Sequence, residues 1–174
     1  QVLSSAASDV YKRQSRCCAR IHQQPRKIIL KKRVVITGEG SISPLGHNSQ
    51  SLWESLVKGK SGIDYISNFD TENFSIKIAG EVKEFDPNNF FESKEARKID
   101  RFTMFGLIAA NQALKNSNYK SSEAGVIVGT GVGGMHTLEE EHKKLLKKGQ
   151  RGVSPFYVPK MIPNIAGGQI AIKH

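Results

Sequence analysis

The chain has 174 residues, 38% of them apolar and 24% charged, with two cysteines and a formal net charge of +10. That is the make-up of one ordinary domain with room for a core, and no apolar run approaches membrane-spanning length. The charge is uneven: residues 1–33 carry nine Lys/Arg against Asp9, leaving +2 on residues 34–174, which argues against nucleic-acid binding by the body of the chain.

Residues 1–29 show no hydrophobic period, and Ile28-Ile29-Leu30 is too short for a signal core. Two origins compete for this stretch. Its Arg-rich, acid-poor composition fits a mitochondrial transit peptide, but we read it as translated non-coding sequence. Leu30 then stands where an alternative start codon falls, and the domain runs over 30–174. Cys17 and Cys18 are adjacent, match no metal or redox spacing and have no other cysteine to pair with. Disulfide scaffolds and Cys-ligated zinc are thereby excluded, and a reduced, cytoplasmic setting is the default.

Arg33–Thr37 (RVVIT) is a β-branched run that predicts a buried strand ending at Gly38. Asn48 or Ser49 can cap a following helix, Ser51 and Glu54 have capping-box spacing, and Lys58-Gly59 closes it. Residues 62–85 alternate loosely and predict a loop excursion with a hairpin around Lys77–Val82. Asp86-Pro87 is a cap followed by proline at the first helical position. Ser93 opens a long predicted helix to about Asn116, with Ile99, Phe102, Gly106, Ala109 and Ala113 as its inner face.

Gly125–Val128 (GVIV) predicts a second buried strand, and Met135–Lys148 another helix. In that helix Glu139, Glu140 and Glu141 precede Lys143, Lys144, Lys147 and Lys148, an order that suits the helix dipole and reads as a solvated face. MIPNIAGGQIAIKH predicts a final helix without a closing signal, so a continuation beyond His174 is expected. The whole pattern predicts an α/β domain with a partly parallel sheet.

Two stretches carry chemistry. Gly129, Gly131 and Gly134 form G-x-G-x-x-G between a predicted strand and a helix, the local setting of a dinucleotide loop. No acidic residue follows after Glu141, where a ribose-binding acid is required, and no Gly-Lys-Ser/Thr follows for a P-loop. The glycines are better read as letting the backbone pass close to another element or an apolar ligand. In the second stretch Lys94, Arg97, Lys98 and Arg101 fall at i, i+3, i+4 and i+7, a one-sign strip on one helix that can hold an acidic partner.

The segments VVITGEGSISPLG, FDTENFSIKIAGEVKEFD, SKEARKIDRFTMFGLIAANQAL, GTGVGGM and SPFYVPKMIPNIAGGQIAI follow one another in an order and spacing that resembles the N-terminal part of the beta-ketoacyl-[acyl-carrier-protein] synthase II family. The resemblance covers about residues 31–174. It implies a thiolase-like α/β fold of αβαβα layers, of which this chain holds part of the N-terminal half, and a homodimer. It implies fatty acid synthesis by an acyltransferase that condenses acyl groups with malonyl-acyl carrier protein through a nucleophilic Cys and two His. By the resemblance those residues lie beyond residue 174, so no catalytic residue is expected in this chain and none of its own activity. No cofactor and no metal are implied.

Carried over residue by residue, Lys94, Arg97 and Lys98 dock acyl carrier protein. Val132 lines the acyl pocket, and Tyr157 and Val158 reach toward the partner subunit's pocket across the dimer. His47, His136, His142 and His174 do not match the catalytic positions. Two other readings stay open: a non-catalytic carrier-docking module, and a nucleotide-binding α/β domain.

Overall fold

A computed structural model describes residues 33–119 and 123–174. The expectations for residues 1–29, Cys17 and Cys18 included, lie outside the described residues. The chain divides into residues 1–35 and residues 36–174. Of the first unit only Arg33, Val34 and Val35 are described, exposed and without regular structure. Every helix and strand among the described residues belongs to the second unit.

Helix α1 spans Ser49–Val57. Asn48 caps it, its side chain accepting from Ser51 N at 2.8 Å while Ser51 Oγ accepts from Asn48 N at 3.3 Å. The capping box is therefore Asn48 with Ser51, one helical turn earlier than Ser51 with Glu54. Gly59 leaves the helix at φ 65°, as a closing glycine does.

Strands β1 (Ile63–Tyr65) and β2 (Ile78–Gly80) pair antiparallel, Ile63 opposite Gly80 and Tyr65 opposite Ile78. The hairpin expected around Lys77–Val82 is corrected: that stretch supplies one strand, and its partner is the earlier Ile63–Tyr65. A 3-10 turn over Pro87–Asn89 comes next, capped by Asp86, whose side chain accepts from Asn88 N at 2.9 Å.

The long helix expected from Ser93 is two helices. A single turn, α2 (Ser93–Ala96), ends at Arg97, and α3 runs Arg101–Ser117 with Asp100 as its N-cap. An Asp before an apolar helical run prefers the capping role to an interior one, because its carboxylate satisfies an orphan N–H. The left-handed Asn118 (φ 53°) ends α3.

The inner face of α3 also differs from expectation. Its buried residues are Thr103, Met104, Leu107 and Ile108; the three apolar ones pack with Phe91, Ile99 and Ile170 into the core. Ala109 and Ala113 instead face the 38–40 segment, where a Cβ on Gly38 or Gly40 would collide with the carbonyl oxygens of Ala113 and Ala109. Small residues on both sides let that segment lie directly on the helix. Gln112 and Asn116 fasten it: Ser41 N donates to Gln112 Oε1 at 3.0 Å, Gln112 Nε2 to His47 O at 2.7 Å, and Asn116 Nδ2 to Glu39 O at 3.0 Å.

Helix α4 spans Met135–Lys148, as expected; α5 (Tyr157–Met161) and α6 (Ile165–Lys173) complete the chain. Ala166 and Ile170 of α6 are buried, and α6 packs onto α3.

The two expected buried strands are corrected. Neither Arg33–Thr37 nor Gly125–Val128 forms a strand, and Val34, Ile36 and Ile127 are 90%, 93% and 99% exposed. A β-branched run becomes a strand only where a neighbour completes its ladder. Among the described residues the only sheet is the two-stranded hairpin.

The face of α4 is corrected as well. Glu139 pairs with Lys143 at 2.8 Å in solvent, as expected, but Glu141 is buried at 6% exposure. Lys144 reaches Glu141 at 2.7 Å.

Candidate functional site

The 94–101 stretch, the glycine loop and the SPFYVPK segment are distant in sequence and meet in the fold. The break between α2 and α3 decides how. Lys94, Arg97 and Lys98 are all exposed, Lys94 within α2 and Arg97 and Lys98 in the turn after it. Arg101, expected as the fourth member of the strip, turns inward: Nη2 donates to the carbonyl of Val82, and the guanidinium lies 5.4 Å from the Phe85 ring and 5.3 Å from that of Phe105. A planar cation set beside two aromatic rings, half-buried, braces the segment after the hairpin against α3.

Across the turn, Lys160 Nζ donates to Arg97 O at 3.2 Å, and Lys98 Nζ lies 5.8 Å from the Phe156 ring. The basic turn thus sits against α5. From the other side, Gly134 N donates to Met161 O at 2.9 Å. Gly133 holds φ 79°, and a Cβ there would collide with Met161 O. The second half of the glycine loop is shaped by close approach to the backbone of 160–163, the reading preferred from sequence. Among the described residues nothing stands within 4 Å of a Cβ placed on Gly129 or Gly131.

Asp100 ties the remaining corner. Helix α4 has no side-chain cap of its own from Gly134. Instead Asp100 Oδ2 accepts from Thr137 N at 3.1 Å and from the Thr137 hydroxyl, while Oδ1 accepts from Phe102 N at 3.2 Å. One buried carboxylate therefore caps two helices. It also places an anion at the helix end where a dinucleotide would need to set its pyrophosphate, which counts against the nucleotide-binding reading.

The buried Glu141 fixes the approach to α5 from its N-terminal side. Its Oε2 accepts from Ser154 N at 2.6 Å. The hydrogen bond from Lys144, then that from Ser154 N, hold its carboxyl below the usual range against the opposing effect of burial. Asp100, Glu141 and Lys160 were not singled out in the sequence as site residues. For Asp100 a signal existed, an Asp directly before a helical apolar run; for the other two the signal lies only in the tertiary contacts.

Val132 is 57% exposed in the loop. An apolar groove of about 560 Å³ is lined by Ala110, Leu114, Val126, Ile127, Val128 and Ile170 among others, and Val132 is not part of it. Tyr157 is half-buried and Val158 is 54% exposed, both at the start of α5. Among the described residues no group of three or more His, Cys, Asp or Glu could hold a metal ion, and no helix is long and apolar enough to cross a membrane.

Comparison with known proteins places this arrangement. The chain is 47% identical over 146 residues to 3-oxoacyl-[acyl-carrier-protein] synthase 2 of Staphylococcus aureus (strain COL), covering 81% of this chain and 35% of that protein. It is 44% identical over 147 residues to the protein of the same description from Vibrio cholerae serotype O1, covering 82% of this chain and 36% of the other. The chain thus spans about a third of the length of these relatives.

Among solved structures, the ishigamide ketosynthase/chain length factor superposes with a TM-score of 0.68 at 26% identity, covering 79% of this chain and 36% of that one. A type II PKS acyl-carrier protein in complex with its ketosynthase matches with a TM-score of 0.61 at 26% identity, covering 82% and 39%. The ketosynthase, thiolase-like α/β fold is that of this chain. The family model for the beta-ketoacyl synthase N-terminal domain matches residues 31–174, and the chain belongs to that family.

Proposed function

We propose that this chain is the N-terminal part of a condensing synthase of fatty acid synthesis, one that joins an acyl group to malonyl-acyl carrier protein with loss of carbon dioxide. In this reading the nucleophilic Cys and the two His come from sequence after His174, and the 174 residues alone are inactive. What this part contributes is docking and shaping. Lys94, Arg97 and Lys98 receive an acidic acyl carrier protein, Val132 meets the acyl chain, and Tyr157 and Val158 meet a second subunit in a homodimer. The setting is cytoplasmic.

The observation that carries the reading is the exposure of all three docking cations within residues 94–98, in a chain 47% identical to a 3-oxoacyl-[acyl-carrier-protein] synthase 2. A thiolate activated at a helix end and donors preorganised for the developing oxyanion are what such a condensation requires. Sequencing the gene past the His174 codon tests it. A Cys at the head of a helix with two later His supports the synthase; an open frame without them leaves a docking module and removes the enzyme.

A further inference from the structure

We propose that Lys160 is a fourth cation of the carrier-docking surface, which is therefore built from two separate stretches of chain, the 94–98 turn and α5. The proposal rests on the docking reading of Lys94, Arg97 and Lys98 and adds to it a residue outside that stretch.

Three observations converge. Lys160 Nζ lies 3.2 Å from the carbonyl oxygen of Arg97, so its charge stands beside the turn that presents Arg97 and Lys98. Lys98 in turn lies over Phe156, one helical turn before Lys160, so the two stretches brace each other at two points. Gly134 N holds the end of α5 from behind by its bond to Met161 O. The place of Lys160 is set by backbone contacts on both sides, not by a free side chain alone.

Among the described residues, Lys94, Arg97, Lys98 and Lys160 have no carboxylate within 4 Å, whereas Lys83, Lys143, Lys144 and Lys173 are each paired with one. Of the acids nearby, Glu95 is paired with Lys173 at 3.5 Å and Glu141 with Lys144 at 2.7 Å, the charge of Lys160 also acting on Glu141. An ammonium has three donors, and the bond to Arg97 O uses one. Two remain for a partner's carboxylate. The inward turn of Arg101 removes the cation that the linear strip would have used, and Lys160 supplies one from elsewhere.

The test is binding of a purified acidic acyl carrier protein to this chain, measured by titration calorimetry at low and at moderate salt. Lys160→Gln keeps a donor for Arg97 O and removes only the charge. It is expected to weaken binding about two- to fivefold at low salt, with a shallower salt dependence. Lys160→Arg restores binding, Lys58→Gln on the exposed end of α1 leaves it unchanged, and the melting temperatures of all three variants match that of the unaltered chain. Equal binding by Lys160→Gln and the unaltered chain overturns the proposal, as does equal weakening by Lys58→Gln. Failure of the docking reading itself shows differently: the unaltered chain binds no carrier, or Arg97→Gln has no effect, and the proposal falls with it.

Discussion

Asp100 and Thr137, 37 residues apart, share one buried carboxylate contact that starts two helices at once: Asp100 caps α3 at Phe102 N and α4 at Thr137 N. Replacing Asp100 by Ala removes both caps and leaves the Thr137 N–H without its partner in the interior. The expected loss is about 2–4 kcal/mol of unfolding free energy, read by urea denaturation. Asp100→Asn keeps one acceptor and is expected to lose roughly half as much.

The glycine loop has one constrained half and one open half. Gly133 sits at φ 79° with Met161 O in the place of a side chain, while among the described residues nothing stands near a Cβ on Gly131. Gly133→Ala is therefore expected to cost more than about 1 kcal/mol, and Gly131→Ala to be neutral or stabilising by up to about 1 kcal/mol. Thermal melts of the two variants, side by side, check this. Equal costs would mean that the loop does not approach α5 as described.

Arg97 and Arg101 differ in what they do despite their spacing. Arg97 is exposed, and Arg101 is half-buried beside Phe85 and Phe105 with a bond to the Val82 carbonyl. Arg97→Gln is expected to weaken carrier-protein binding with no change in melting temperature. Arg101→Gln is expected to lower stability by about 1–2 kcal/mol through lost ring contacts and a lost bond to backbone. Measuring both quantities on both variants separates the roles.

Acid is expected to destabilise the fold. The carboxyls of Glu141 and Asp64 are held low chiefly by hydrogen bonds from Lys144 and Lys83, and that of Glu81 by bonds from Ser67. A group whose folded value is depressed contributes stability that is full above its unfolded value and is lost as pH falls through the folded one. For Glu141 the loss begins near the ordinary value of 4.5 and grows below it. Melts between pH 6 and pH 3 should fall steadily, and Glu141→Gln should lie lower at pH 6 and fall less steeply.

The exposed apolar segments make a further expectation. Val126, Ile127 and Val128 border the apolar groove beside Leu114 and Ile170, a combination of uncovered backbone and apolar side chains that invites association. The chain by itself is expected to self-associate with rising concentration in sedimentation. A chain that stays monomeric in sedimentation at the highest concentration would contradict this.

Local chemistry was legible in the sequence wherever the cause is local. The Asn48 cap, the Asp86-Pro87 turn and the bounds of α4 come from capping, proline and dipole preferences that act within one or two turns of chain. The family motifs likewise identified the fold. Whether Gly125–Val128 is a strand was not legible, because a ladder is a property of two segments. Nor could spacing alone reveal that Asp100 breaks the basic strip, since the carboxylate that caps α3 also answers a demand from α4. Only the tertiary structure turned Arg101 inward, buried Glu141 on a face that reads as solvated, and brought Lys160 to Arg97. Each of these depends on what lies opposite in space, and a helical wheel contains only what lies on one helix.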